Sequence, residues 1–534
     1  MKNTNRVKRE TQSVGETIYG YLRYTLDLLI SIYMVLLLTL LPFYNTEGYS
    51  KIGTDKATFF RITLIYCGGM VLAGVVLVLL YKAFSGNGEH RKKLTVTDMF
   101  AAGYCICVVL SYFFTNYKEE ALWGTRGWFM GMIPQLAAVG SYFVISRMWT
   151  KCKWMLPLVM GVSGIVFVLG YLNRFGIHPI DMKVQNVSFV STIGNINWYC
   201  GYAMCVFFIG YVLLWAADLQ KTWQKVLLMA YVTIGFATLL THGSISGVVA
   251  LGVIIVVTFC MSVSDGRRME MFWLEMILLS ATCGFTFLMC RLGVFKVTYK
   301  FEATILYTNV IPFLIMTIVS VAFYVWVLKS NSKGCYPKRA FNVMGKAVGI
   351  GAPALMVILV LVIAVNTATD GIIYRLTGMS ENAILTFSPR WGSNRGATYL
   401  AGLYCFREQD ILHKLTGVGP DCMATFLYSR GSEELVGLVK GVFGNSRLTN
   451  AHNEWLTILV NIGLPGCICY AGMVVSGILR FIRNRKKSVV ALACGFCLLA
   501  YTINNMFSFQ QTMGLATMFI IWGIGENYLR EAEG

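Results

Sequence analysis

The chain has 534 residues, of which 56% are hydrophobic and 13% are charged, and its mean hydropathy is +0.62. This balance excludes an ordinary soluble domain and is typical of an integral membrane protein. The net charge of +19 would also suit a nucleic-acid-binding protein. Most of the excess lies in short loops beside apolar runs, so we predict a lipid bilayer and no nucleic acid as the partner.

Apolar runs of about 18 to 22 residues recur along the chain and are long enough to cross a bilayer as helices. We therefore predict an all-α integral membrane protein with about fourteen transmembrane helices (12–14). The predicted spans lie near 24–43, 60–83, 97–115, 128–147, 154–173, 197–216, 225–241, 244–262, 271–290, 305–328, 346–367, 462–481, 488–504 and 510–527.

Lys and Arg clusters between the spans predict the orientation, because positively charged loops are retained in the cytoplasm. With the amino terminus inside, six clusters fall on one side: Lys2/Arg6/Lys8/Arg9, Arg91/Lys92/Lys93, Arg147/Lys151/Lys153, Arg267/Arg268, Lys333/Lys338/Arg339 and Arg483/Arg485/Lys486/Lys487. We predict a multi-pass protein of the cytoplasmic membrane with both termini in the cytoplasm.

A polar interval of about 85 residues separates the last three spans from the rest and is too long for a passive turn. The chain divides into an N-terminal transmembrane bundle of about eleven helices (1–367), an extracytoplasmic loop with short helices (368–455) and about three C-terminal helices (456–534). We expect the chemistry of the protein to lie in this large loop.

Two arginines of the loop, Arg390 and Arg395, flank a turn-rich segment before a predicted helix at 396–407. Two guanidiniums five residues apart can converge on a diphosphate. Ser393 or Asn394 as the N-cap of the helix would leave backbone amides available to the same anion. The alternative for most cations of the loop is surface solubility and local ion pairs.

His452 lies at the end of the loop, directly before the next span, which places an imidazole at the lipid interface. A histidine there suits a general base, and the adjacent Asn453 and Glu454 could fix its tautomer and tune its basicity. A lone histidine is also common as a structural residue, so this alternative stays open.

The loop shows no familiar metal-binding pattern. Outer loops have no Asp-x-Asp pair, and Glu408, Asp410 and His413 fit no usual ligand spacing, so we expect no metal and no cofactor. Cys405 and Cys422 are the two cysteines of the loop, and they could pair or remain free.

Several short tracts of the chain resemble the O-antigen ligase and O-antigen polymerase superfamily. These polytopic glycosyltransferases, GT-C-like in fold, act on undecaprenyl-diphosphate-linked glycans outside the bacterial cytoplasmic membrane. The tracts lie at 121–127, 194–197, 392–396, 415–421, 451–456 and 463–466. The chain departs from the family at 242–247, which lacks the arginine that often follows a serine there.

The resemblance implies that the protein transfers a glycan from an undecaprenyl-diphosphate-linked donor to a hydroxyl of a glycan or glycolipid acceptor. His452 would be the catalytic base, and Arg395 with Arg390 and Arg126 would bind the diphosphate. The product would belong to a cell-surface polysaccharide. A polymerase, a ligase and a protein glycosyltransferase all remain open.

A flippase or transporter for a lipid-linked oligosaccharide is the alternative outside enzymology. It would have a similar number of spans, but such proteins are usually built from internal repeats and lack one enlarged outer loop. The chain shows no clear repeat, which favours the enzyme.

Overall fold

The computed structural model describes residues 14–85, 93–184, 186–297, 300, 302–381 and 384–533. The predicted cytoplasmic cations Lys2, Arg6, Lys8, Arg9, Arg91 and Lys92 lie outside these residues. The described chain is almost entirely helical, as the apolar runs predict.

The helices before the long loop are α1 (Val14–Val35), α2 (Ile52–Thr63), α3 (Gly69–Ser85), α4 (Val96–Phe114), α5 (Lys118–Trp123), α6 (Met132–Met148), α7 (Met155–Asn173), α8 (Ile196–Ala216), α9 (Thr222–Thr241), α10 (Ile245–Ser262), α11 (Gly266–Arg291), α12 (Ile305–Thr308), α13 (Val310–Ser332) and α14 (Lys338–Ala368). The loop contains α15 (Ile372–Thr377), α16 (Trp391–Glu408), α17 (Ile411–Thr416), α18 (Met423–Arg430) and α19 (Glu433–Phe443), and the chain ends with α20 (Glu454–Arg483), α21 (Val489–Asn504) and α22 (Thr512–Glu533). Two π-helical turns, Leu36–Leu40 and Leu64–Gly68, extend α1 and join α2 to α3, and 3-10 turns lie at Gly48–Ser50 and Glu302–Thr304. Strands β1 (Phe189–Val190) and β2 (Gly194–Asn195) pair antiparallel just before α8, with Phe189 opposite Asn195.

Eleven helices within the described residues are long and apolar enough to cross a membrane, so the chain is a multi-pass membrane protein. Three other predicted spans correspond to α6, α21 and α22, which are helical but do not meet the same criteria of length and hydropathy. The number fourteen therefore remains a prediction.

Helix α8 lies at the centre of the bundle, since 89% of its most apolar 18-residue stretch is buried. In α14 none of the corresponding stretch is buried. Small residues allow the close packing around α8, as is usual between membrane helices. Gly210 of α8 faces the ring of Tyr231 on α9, and Gly235 of α9 faces the ring of Phe207 on α8. Each of these two helices therefore packs an aromatic ring against a glycine of the other, which brings them close together. Helix α14 lies at the periphery of the bundle.

A kink in α20 binds the long loop to the bundle. Gly463 is left-handed (φ 79°), and Pro465 has no N–H to donate to the carbonyl of Asn461, four residues earlier. The Asn461 carbonyl instead accepts hydrogen bonds from the Gly419 N–H at 3.1 Å and from the Ser111 hydroxyl at 2.7 Å. The loop and α4 therefore both dock on the backbone that the proline leaves open.

Asp421 also joins the long loop to the segment between α5 and α6. Its carboxylate accepts hydrogen bonds from the backbone N–H groups of Thr125 at 2.7 Å and Met130 at 3.1 Å, and the Thr125 hydroxyl donates to the Asp421 carbonyl at 2.8 Å. Tracts 121–127, 415–421 and 463–466, far apart in sequence, thereby meet at one end of the bundle.

Substitution of Gly417 or Gly463 by alanine should destabilise the protein. Both glycines are left-handed, and an added methyl would lie 2.1 Å from the Asn461 carbonyl oxygen at Gly417 or 2.4 Å from the Leu415 carbonyl oxygen at Gly463. We expect each variant to lose more than about 2 kcal/mol of stability, measured as a lower thermal unfolding midpoint in detergent.

Gly441→Ala is the matched control, since nothing lies within 4 Å of a methyl at this position in α19. It should leave the midpoint unchanged or raise it, because alanine favours a helix over glycine by about 0.5 to 1 kcal/mol. Equal midpoints for all three variants would contradict the docking of the loop on the kink.

Candidate functional site

Two of the predicted site residues, Arg395 and His452, line one cavity between the long loop and the bundle. Its volume of about 430 Å³ lies within the usual range for small-molecule sites. The bundle contributes Asn197 from the first turn of α8 and Ser244 from the turn before α10. The loop residues thus face polar groups from the ends of two core helices.

A left-handed turn positions Arg395. Gly392, Ser393 and Asn394 all have positive φ (57°, 60° and 70°), and the chain becomes right-handed helix only after them. Gly396 follows in close contact, since a methyl there would lie 1.9 Å from the Ser388 carbonyl oxygen. Neither Ser393 nor Asn394 caps the helix through its side chain, so the expected N-cap is not formed.

The guanidinium of Arg395 is anchored by backbone carbonyls. Its Nε donates to the Phe507 carbonyl at 2.9 Å, and a terminal N–H donates to the Gly392 carbonyl at 3.1 Å. The first bond joins the loop to the segment between α21 and α22, and the second lies within the loop. Arg395 therefore presents a positive charge to the cavity from a fixed position.

His452 is held by its backbone and by one ring contact. Its φ of 47° is unusual for a residue with a side chain, and its N–H donates to the Asn450 side chain at 3.0 Å. The ring meets Phe509 edge to face, with centroids 4.9 Å apart. Across the described residues, no hydrogen bond is formed by the ring nitrogens of His452.

Burial and, secondarily, the Arg395 guanidinium lower the pKa of His452 from 6.5 to about 4. The imidazole is therefore neutral at physiological pH and able to accept a proton. A neutral ring is the protonation state that a general base requires, although the adjacent guanidinium lowers its basicity in the empty cavity.

Asn453 and Glu454 hold neighbouring backbone instead of the imidazole. The Asn453 side chain caps α20 by accepting from the Leu456 N–H at 3.1 Å, and it donates to the Met506 carbonyl at 3.0 Å. The buried Glu454 carboxylate accepts from the Gln510 N–H at 2.8 Å. Their bonds fix the position of the loop, and neither of them hydrogen-bonds to the imidazole.

The other two predicted diphosphate ligands, Arg126 and Arg390, are exposed and do not line this cavity. Arg126 follows Thr125, whose backbone is held by Asp421. Arg390 precedes the left-handed turn, which sends the chain in another direction before Arg395. Of the two arginines of the loop, only Arg395 lines the cavity in this structure.

The sequence analysis did not predict three residues that line the cavity, Asn197, Ser244 and Lys300, as site residues. Asn197 and Ser244 form one polar chain, because the Ser244 hydroxyl donates to the Asn197 carboxamide at 3.0 Å and lies 2.7 Å from the Ser246 hydroxyl, which donates to Asn504 at 2.7 Å. Tract 194–197 and the polar break at 242–247 were available signals. Lys300, an exposed cation of the cavity, had no such signal.

A second, smaller cavity lies beneath Asp421 and Glu454, with a volume of about 20 Å³. Burial raises the pKa of Asp421 to about 7, although the N–H groups of Met130 and Thr125 favour its ionised form. The space suits one water molecule, so this region joins the loop to the bundle without room for substrate.

Cys405 and Cys422 are both buried and free, so the structure has no disulfide in the loop. No group of three or more metal-ligating side chains occurs in the described ranges. No protein-family model matches this chain, and no curated protein matches it in sequence.

The pKa of His452 predicts a specific pH dependence of stability. The folded-state pKa (about 4) is below the unfolded value of 6.5, so the unfolded chain binds the proton first and acid favours unfolding. The stabilisation is present above about pH 6.5 and is lost as the pH falls toward 4. We expect His452→Gln to lose less of its unfolding midpoint than wild type between about pH 7 and about pH 5.

His178→Gln is the control, since His178 is exposed in a turn after α7. It should retain the wild-type dependence on pH. An unchanged dependence in His452→Gln would mean that the ring titrates in contact with water.

Proposed function

We propose that the protein is a glycosyltransferase similar to the O-antigen ligases and polymerases. It would transfer a glycan from an undecaprenyl-diphosphate-linked donor to a sugar hydroxyl at the outer face of a bacterial cytoplasmic membrane. The observation that carries this proposal is the single cavity lined by Arg395 and His452 together with Asn197 and Ser244. A fourteen-span GT-C-like fold with cytoplasmic termini is part of the same proposal.

The reaction requires one proton transfer and one departing diphosphate. The hydroxyl of the acceptor attacks the anomeric carbon and loses its proton to His452, while the bond from that carbon to the phosphate oxygen breaks. The diphosphate leaves on its lipid carrier. Arg395 offsets the charge that develops on it, and Lys300 adds a second cation in the same cavity.

Substrate binding would activate the base. In the empty cavity the Arg395 charge helps to keep the pKa of His452 low. A bound diphosphate brings negative charge that offsets the guanidinium, so the imidazole becomes a stronger base only when the donor is present. This coupling would restrict proton removal to the loaded site.

The polar chain of Asn197 and Ser244 supports a role in orienting hydroxyl groups. Their side chains lie at the ends of α8 and α10, opposite the loop, and offer both donors and acceptors. A sugar between the loop and the bundle would contact both. Polymerase, ligase and protein glycosyltransferase differ in the acceptor, which these contacts do not select.

Substitutions at the cavity should slow transfer strongly when reconstituted protein is given a lipid-diphosphate oligosaccharide and an acceptor. We expect His452→Ala to reduce the rate about 100- to 10,000-fold. Arg395→Lys should lose about 100-fold, because an ammonium keeps the charge without the planar fork. Product size resolves the class, since a ladder indicates a polymerase and one discrete product a ligase.

Arg407→Ala is the matched control on the same helix, because Arg407 is exposed about three turns beyond Arg395. It should transfer glycan at the wild-type rate. Full activity of His452→Ala would exclude the imidazole as base. Movement of the donor across the bilayer without any product would favour the transporter.

Excess chelator should leave activity unchanged. The proposed mechanism takes its positive charge from Arg395 and Lys300, and metal-binding clusters are absent among the described side chains. The measurement is the transfer rate in EDTA, with and without added Mg²⁺ or Mn²⁺. A rate that falls in EDTA and returns with metal would refute the guanidinium mechanism.

A further inference from the structure

A larger cavity, of about 960 Å³, lies at the other end of α4 and α20 from the candidate site. The residues before and at the start of α4, the last turn of α20 and the end of α22 surround it. Its charged lining consists of Lys93, Arg480, Arg483, Lys487, Arg530 and Glu533. Cations therefore outnumber acids by five to one in the lining of this cavity.

The acids near this cavity are already neutralised from within the bundle. Asp98, buried at the start of α4, pairs with Arg147 and with Arg530, both at 2.8 Å. Glu526 of α22 pairs with Arg480 at 2.9 Å and with Arg530 at 2.7 Å. No carboxylate of this inner network remains to balance further cations.

Glu533 completes the network at the rim. It pairs with Arg480 at 2.8 Å and with Lys487 at 3.3 Å. Lys93 and Arg483 are both exposed, and neither has an ion pair within the described ranges. Among the described residues, the one acid that lines the cavity, Glu533, is paired with other cations and not with these two.

The wall of the cavity is apolar and exposed. Leu94 and Val96 at the start of α4 are 73% and 54% exposed, and Leu479 of α20 is 41% exposed. Exposed aliphatic side chains at the end of membrane helices are covered by lipid chains in a bilayer. The cavity therefore combines an apolar wall with two cations that form no ion pair in the part of the chain that the structure describes.

We propose that this cavity binds an anionic phospholipid of the leaflet opposite the candidate site. The phosphate would lie between Lys93 and Arg483, and the acyl chains would cover Leu94, Val96 and Leu479. Basic pockets between transmembrane helices commonly bind such headgroups. A free phosphate would satisfy the cations alone, whereas a phospholipid also covers the apolar wall.

Native mass spectrometry of the full chain tests this directly. The purified protein is incubated in detergent with equimolar phosphatidylglycerol and phosphatidylcholine, and the singly bound adducts of each lipid are compared. We expect wild type to retain phosphatidylglycerol preferentially. Lys93→Gln/Arg483→Gln should lower this preference by roughly fivefold for each cation removed.

Lys338→Gln/Arg339→Gln is the matched control, because it also removes one lysine and one arginine, both exposed, at the start of α14. It should keep the wild-type preference. Equal retention of the two lipids by wild type would overturn the proposal even if a variant failed to fold. An equal loss in both double variants, or full displacement of the lipid by millimolar inorganic phosphate, would also overturn it.

Discussion

The kink in α20 is the constraint on which the candidate site depends. Pro465 leaves the Asn461 carbonyl without its helical donor, and inside a membrane bundle an unpaired carbonyl costs several kcal/mol. Gly419 and Ser111 satisfy it, so α4 and the loop are fixed to the same point. His452 lies two residues before the same helix, where the bonds of Asn453 and Glu454 to Met506 and Gln510 hold it against the bundle.

Backbone strain marks the segments that this constraint holds. Ser393, Asn394, Asp421 and His452 all have positive φ, although each carries a side chain. Such conformations cost about 1 kcal/mol or more each and persist where the surroundings enforce them. All four lie in the long loop, where Ser393 and His452 line the cavity and Asn394 directly precedes the cavity residue Arg395. These segments of the loop therefore have a defined backbone conformation that their surroundings enforce.

The sequence predicted the helices well because apolar runs of membrane length have few alternatives. It also singled out Arg395 and His452, which line one cavity, since a cation and an imidazole are chemically distinctive in the long loop, and their roles stay a prediction. Arg390 does not line the cavity with Arg395, because a left-handed turn separates them and spacing along the sequence does not reveal such a turn. Lys300 could not be predicted, since its place in the cavity depends on packing between distant segments.

Sequence reasoning treats all cations at one membrane face alike, as signals of orientation. The structure divides them by their partners. Arg530 is nearly buried between Asp98 and Glu526, so its charge stabilises the junction of α4 with α22. Lys93 and Arg483 line a cavity whose one acid among the described residues, Glu533, pairs with Arg480 and Lys487. Arg530, Lys93 and Arg483 therefore count equally as orientation signals but differ in their surroundings. Buried carboxylates neutralise Arg530, whereas we propose that an external anion pairs with Lys93 and Arg483.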